Sequence, residues 1–373
     1  MWLIFFLLFY SLPALYVFFR LRSLSAGFPY QKVLLTVFVV PALAFPLFQV
    51  LFYIFRFDLV HQIQEVLYYF VPYMLYLFML LIDYDLLMGL NRFLKFIPVH
   101  VIKHTKFRSI CLAVLLIIPL IVDIYGIINY RNIRVNTYHA QIPAQNSSLD
   151  HLRIVVAADL HLQKSIPESF MPRFVDMVNA VKPDLVLLPG DILEVWHKHD
   201  RVSEFTEQFR RLNTRLGVYS SFGNHEWYGD NNYAHSFFDK AGIHLLEDEI
   251  VVLDGMLTLV GRNDKFRKGR MKLSQLLADA PEGLPVILMD HKPHDLTDVS
   301  RHNVSIQVSG HTHHGQLYPF HWVTSAIFEL SWGHKLINDT HFFVTSGVRG
   351  WGPAVRTSGD AEIMVIEVEL QKI

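Results

Sequence analysis

The stretch LRIVVAADLH, residues 152–161, runs through strand-forming apolar residues, stops on Asp159, and sets His161 two positions on. An apolar run without polar alternation suits a strand covered on both faces. Side chains two apart on an extended or turning chain project the same way, so Asp159 and His161 form a clamp. The same punctuation returns at Gly190-Asp191 after the run 185–188, at Gly223-Asn224-His225-Glu226 after 217–221, at His291 after 286–289, and at Gly310-His311-Thr312-His313 after 304–308. Between these runs, 168–181, 202–216, 233–241 and 271–280 carry helical spacing, and 342–345 and 363–369 read as closing strands. Strands alternating with helices predict an α/β domain with a second sheet packed on the first, and ligands in such domains gather at the carboxyl ends of strands.

A single copy of such a motif says little, since Asp-x-His is usually a turn with a satisfied imidazole and Asp is a common turn former. A succession of them, each closing a predicted strand, marks a place where ligand-type side chains converge. Carboxylate, amide and imidazole donors suit a pair of hard or borderline divalent cations, and a bridging carboxylate holds both close enough to grip one phosphate. The expected chemistry is two-metal hydrolysis, with manganese, iron and zinc all compatible with these donors.

The chain in front of this domain has a different texture. The 373 residues are 52% hydrophobic and 14% aromatic, an excess that lies at the front. Apolar stretches near 2–19, 33–55, 66–88 and 110–129 are each long enough to cross a hydrocarbon layer about 30 Å thick at about 1.5 Å per residue. They lack the polar stripe of a soluble bundle, so residues 1–135 read as an all-α membrane module of about four helices. The first stretch has neither a basic leader nor a small-residue cleavage site, which favours a retained helix. Arg20, Arg22 and Lys32 follow the first helix, Arg92, Lys95, Lys103, Lys106 and Arg108 precede the fourth, and the middle loop holds only Arg56. Basic loops stay cytoplasmic, so the C-terminal half is expected on the non-cytoplasmic side, Arg131 and Arg134 notwithstanding. An integral membrane location is expected. Asp83, Asp85 and Asp123 read as residues near the headgroup boundary, the other reading being an ion path.

Residues 136–150, polar and ending in Asn146, Ser147 and Ser148, read as a linker, and 151–373 as the catalytic domain. The acidic excess after residue 130 offers no basic face, so nucleic acid is not an expected partner. The single cysteine, Cys111, excludes an intrachain disulfide.

In order and spacing, Asp-x-His, Gly-Asp, Gly-Asn-His-Glu, a lone His shortly before Pro293, and Gly-His-Thr-His resemble the calcineurin-like metallophosphoesterase superfamily. The runs SGHTHHGQ at 309–316 and TSGVRGWGP at 345–353 are similar to its membrane-anchored bacterial, YkuE-like branch. The resemblance covers about 150–370 and implies a four-layer α/β/β/α sandwich. It implies that one metal is held by Asp159, His161, Asp191 and His313, and a second by Asp191, Asn224, His291 and His311. Asp191 would bridge them, a hydroxide between the metals would attack phosphorus in line, and His225 would protonate the leaving oxygen or steady the phosphoryl charge. The family's second Asp after Gly-Asp is Glu194 here, one methylene longer, and its role behind the catalytic His is the point of departure. Glu226, His314, Arg349 and Arg356 are further candidates, the arginines as forked phosphate or headgroup clamps or as solvated surface groups. Trp332 and Trp351 read as an apolar rim or as packing.

The substrate expected is a phosphomonoester, phosphodiester or pyrophosphate, on a small molecule or on a lipid-linked envelope precursor beside the bilayer. Alternatives are a UDP-diacylglucosamine-type pyrophosphatase of lipid A synthesis, which would need a cytoplasmic site, a non-catalytic metal-binding membrane receptor, and a small transporter with a regulatory soluble half.

Overall fold

The protein is described by a computed structural model covering residues 2–55, 57–195 and 201–372. Arg56, on which the reading of the middle loop rests, lies outside the described residues. The chain divides into two compact units: one runs to Ile128 and includes Gly352–Thr357, and the other begins at Asn129 and holds the rest.

The first unit is helical: α1 (Trp2–Leu24), α2 (Gln31–Phe55), α3 (Asp58–Tyr68), α4 (Phe70–Leu94), α5 (Val99–Lys103) and α6 (Thr105–Arg131). Among the described residues, three stretches are long and apolar enough to cross a membrane: Gln31–Phe55, Asp58–Leu94 and Thr105–Arg131. Large apolar side chains point outward from them, Val37 at 67%, Tyr53 at 73% and Phe93 at 84% exposure, which is the surface lipid requires and water penalises. The expected helix at 66–88 is longer at both ends and interrupted at Tyr69. Asp85 is not a bare headgroup residue: it pairs with Arg20 and accepts from the Tyr16 hydroxyl at 2.7 Å, which neutralises a carboxylate in an apolar bundle.

The second unit is α/β. Its strands are β1 (Ile133–Pro143), β2 (His151–Val156), β3 (Leu185–Pro189), β4 (Val218–Ser221), β5 (His244–Leu245), β6 (Glu249–Leu253), β7 (Leu257–Gly261), β8 (Val286–Met289), β9 (Ile306–Ser309), β10 (Gly333–Ile337), β11 (Thr340–Val344) and β12 (Ala361–Gln371). Its helices are α7 (Phe170–Ala180), α8 (Val202–Phe209), α9 (Asn224–Trp227), α10 (Asn231–Ala241), α11 (Leu273–Leu276), α12 (Leu296–Val299) and α13 (Phe320–Ile327). The strands form two six-stranded mixed sheets, ordered β1-β12-β2-β3-β4-β5 and β10-β11-β9-β8-β7-β6. Residues 136–143, expected within a linker, are strand instead, because β1 runs in parallel register with β12 from Ile133 opposite Ala361 to Pro143 opposite Gln371. An edge strand needs few apolar residues and tolerates a terminal proline, so hydrophobic runs do not reveal it. The helix expected over 202–216 ends at Phe209, and that over 271–280 shrinks to α11 and a 3-10 turn.

Alternate residues of the same strands supply different cores. Ile154, Val156, Leu185 and Leu187 of the first sheet meet Leu259, Ile287, Met289 and Val308 of the second in one buried cluster. Val155, Val186 and Leu188 face the other way, onto Phe174, Phe205 and Phe237 from α7, α8 and α10. Val260, Val286 and Leu288 likewise join Leu273, Leu276, Leu296 and Val299. Each fully buried aliphatic or Phe side chain is worth about 1.5–3 kcal/mol, and this packing fixes the strand ends from which the site is built.

Candidate metal centre

Five parallel strands, β2, β3 and β4 of one sheet and β8 and β9 of the other, release the candidate residues just beyond their carboxyl ends. The backbone there is held in the left-handed region: φ is 58° at Asp159, 46° at His161, 54° at Asp191, 72° at His311 and 48° at His313. Such non-glycine residues each cost roughly 1 kcal/mol or more, a strain that persists only where surrounding contacts over-determine it. The Glu226 carboxylate provides one such set, accepting from the backbone N–H groups of Asp191 (3.1 Å), Ile192 (2.6 Å), Leu193 (3.0 Å) and Gly223 (2.8 Å). Asp191 Oδ1 accepts from His225 N at 2.9 Å, and the Asp159 carboxylate from His311 N at 3.1 Å. A Cβ at Gly223 would lie 2.1 Å from Asp191 Oδ1, and one at Gly310 2.4 Å from Asp159 Oδ2, so both loops require glycine for close approach.

Donor atoms gather in three overlapping groups, each within 4.8 Å: Asp159, His161 and His313; His161, Asp191 and His225; Asp191, His291 and His311. In the first, His313 Nε2 is 3.5 Å from Asp159 Oδ1 and 3.4 Å from His161 Nε2. In the last, His291 Nε2 is 3.1 Å from Asp191 Oδ2, while His291 Nδ1 donates to the Pro189 carbonyl at 2.8 Å. That hydrogen bond sets the tautomer and turns the Nε2 lone pair toward the carboxylate, an arrangement that needs a proton or a cation between them. Asn224 Oδ1 is buried without a hydrogen-bond partner. A buried amide oxygen left unsatisfied costs about 1–3 kcal/mol, and a divalent cation among these donors removes that cost. The residues therefore fit the metals that the fold family implies.

Glu194 joins the imidazoles. Its carboxylate accepts from His161 Nδ1 at 2.6 Å and from His225 Nδ1 at 2.8 Å, so the longer side chain does reach both rings. Burial would raise the Glu194 carboxyl, but His225 and His161 hold it down at about 2. Burial likewise opposes charge on His225, yet Asp191 and Glu194 outweigh it and lift the imidazole to about 9. Asp191, despite burial, is held well below the usual carboxylate range by His291, His225 and His161. His291 is raised to about 10 by Asp191 against its burial, whereas burial and the neighbouring His291 push His311 well down. Burial raises Asp159. A cation entering among these donors competes with these protons.

The other candidates fall elsewhere. His314 faces Trp332, ring centroids 5.0 Å apart, and its carbonyl accepts from Ser358 Oγ at 3.0 Å. Trp332 packs and donates Nε1–H to Glu362 at 2.9 Å, while Trp351 is 60% exposed. Arg349 lies over the rings of Phe170 (4.9 Å) and Tyr130 (5.5 Å), and its backbone N–H donates to the Asp159 carbonyl at 3.1 Å. Arg356 is neither solvated nor among these donors: it is fully buried and belongs to the helical unit, where its N–H donates to the Gly126 carbonyl at 2.9 Å. The sequence reading missed Tyr228, whose hydroxyl accepts from Asn224 Nδ2 at 3.2 Å and whose ring lies 5.2 Å from that of His225. Its signal is the i, i+4 spacing from Asn224 on the single-turn helix α9.

A family model described as calcineurin-like phosphoesterase matches residues 152–315. An uncharacterised metallophosphoesterase of Campylobacter jejuni is 27% identical, over 98% of this chain and 97% of its own. A transmembrane protein with metallophosphoesterase domain of Danio rerio is 28% identical over 69% of this chain and 62% of its own. The metallophosphoesterase YkuE of Bacillus subtilis is 27% identical over 46% of this chain and 62% of its own. The chain thus spans nearly the whole of the first and less than two thirds of the other two. With the strand-end donors in place and these matches across them, residues 152–315 carry a calcineurin-like phosphoesterase domain, the domain of a superfamily of phosphoester hydrolases.

Proposed function

We propose that this protein is a membrane-bound phosphoesterase with a binuclear metal centre. One cation is held by Asp159, His161, Asp191 and His313, the other by Asp191, Asn224, His291 and His311. The observation that carries this reading is that Asp191 belongs to two donor groups while Asn224 Oδ1, on the neighbouring donor loop, stays buried and unpartnered. Manganese, iron and zinc all suit the donors. When bound, the cations supply a water acidified toward neutral pH and neutralise charge on the phosphoryl oxygens.

The chain supplies the rest. His225, its Nδ1–H bound to Glu194 and its Nε2 3.9 Å from Asp191 Oδ2, presents a protonated Nε2–H toward the donor cluster. There it gives its proton to the leaving oxygen or steadies a phosphoryl oxygen. Glu194 keeps His161 and His225 in fixed tautomers from a single carboxylate, and Glu226 holds the Asp191 and Gly223 loops against their strain. No covalent enzyme intermediate is required.

The architecture proposed is a four-layer α/β/β/α sandwich from about residue 151, preceded by a membrane module that includes α1 as a fourth span. We place the catalytic unit on the non-cytoplasmic side of a bacterial inner membrane, from the excess of Lys and Arg in the two other loops. The substrate class is a phosphorylated small molecule or lipid. The test is hydrolysis by metal-reconstituted protein across monoesters, diesters and lipid pyrophosphates, with Asp191→Ala as blank. Turnover that persists in the blank, or none with any metal, overturns the reading.

A further inference from the structure

α13 follows the donor loop of His311 and His313 by a few residues and is built inside out. Its outward arc carries Phe320 (43% exposed), Trp322 (62%), Val323 (51%) and Ile327 (62%), with the small Ser325 and Ala326 between them and Tyr318 (43%) just before it. Its inward side carries the polar His321 and Thr324 and the ring of Phe328. His321 lies 5.8 Å from the His314 ring, and Phe328 lies 4.9 Å from His294 and 5.9 Å from His311. From Gln316 to Phe328 there is no Asp, Glu, Lys or Arg. A helix on a water-facing surface turns its apolar stripe inward and its polar stripe outward. This one does the opposite, so the phase it faces is apolar.

We propose that α13 is an interfacial helix that lies in the headgroup and upper acyl region of a lipid bilayer. The chain already carries helices long and apolar enough to cross a membrane, so a bilayer is the apolar phase at hand. Tyr318 and Trp322 bring rings with one polar edge, the chemistry that partitions to the boundary between acyl chains and water, while Phe320, Val323 and Ile327 supply the buried stripe. A second protein copy is the weaker occupant. An eight-residue helix is about 12 Å long, and its outer strip falls far short of the roughly 800 Å² per partner that a stable dimer buries. An interfacial helix needs no such area, because the chain's other helices already hold the protein at the membrane. On the phosphoesterase reading above, on which this consequence rests, the donor loops then sit beside headgroups, and the substrate is a phosphate carried on a membrane lipid.

The test does not depend on turnover. Full-length protein with Cys111 replaced by Ala receives a single nitroxide at Val323→Cys, Ile327→Cys or, as a reference on the exposed strand β10, Lys335→Cys. Each is reconstituted into phosphatidylcholine and phosphatidylglycerol vesicles, and collision rates with dissolved oxygen and with a water-soluble nickel chelate are measured. The labels at 323 and 327 are expected to favour oxygen at least threefold over the label at 335. Labels at 323 and 327 as open to the nickel chelate as the reference overturn the proposal. So do labels shielded from both reagents, which is what a covering protein copy produces.

Discussion

On the proposed ligand sets the two sides of the donor cluster share Asp191 but are held by different means. Behind the first side, where Asp159, His161 and His313 meet, stands a buried carboxylate: Glu194 takes His161 and His225 together. Behind the second stand neutral groups: the Pro189 carbonyl under His291 and the Tyr228 hydroxyl under Asn224. Charge-assisted hydrogen bonds are about twice as strong as neutral ones and raise the basicity of a ligating imidazole. On the proposed ligand sets the first side is therefore expected to be the stiffer and, at neutral pH, the tighter site, while the second requires displacing the proton that His291 holds beside Asp191.

The largest effect should come from the residue common to both sides. Asp191→Ala is expected to reduce kcat/KM by about 10³-fold or more and to leave the purified protein without its full metal complement by elemental analysis. A variant that keeps both metals would break the picture of a shared bridge. Glu226→Gln is next: it keeps the shape but weakens four backbone contacts, and should destabilise the second unit by about 3 kcal/mol, read as a lowered Tm in detergent. Glu194→Gln should separate the two sides, lowering metal affinity about 10–100-fold at the first alone. Calorimetric titration that shows both sites weakened equally would contradict the asymmetry.

The same asymmetry predicts a pH response. His291 is raised to about 10, so below that pH a cation entering the second side must expel its proton, and above it the competition ends. Affinity there should climb about tenfold per pH unit between about 7 and 9 with release of one proton, detectable by titration in buffers of different ionisation enthalpy. A response of equal steepness at both sides would remove the distinction. The smallest effect is expected for Tyr228→Phe, which deletes the acceptor for Asn224 Nδ2 at a cost of about 1 kcal/mol, a few-fold change in affinity confined to the second side.

Much of this was legible beforehand because strand ends announce themselves. The run 286–289 is β8 to the residue, and 185–188 lacks only Pro189 of β3, since buried parallel strands are apolar throughout. β1 was hidden because an edge strand pairs through backbone, and its polar residues Asn136, His139 and Gln141 look like linker. The short helix α9 escaped for a related reason: one turn has no periodicity to read. That Glu194 reaches two imidazoles, and that Glu226 gathers four N–H groups, depends on distances across loops 33 and 34 residues apart in sequence, which spacing alone does not encode.

From the residues alone came the identity and order of the metal-type donors, the α/β alternation and the apolar helices at the front, because each is written in local composition and period. Only the folded chain decided which donors share Asp191, which imidazole nitrogen is turned toward it, that Arg356 is buried in the helical unit, and that α13 wears its apolar face outward. Those depend on side chains brought together from distant strands by the packing of two sheets, and on which face of a helix that packing leaves uncovered.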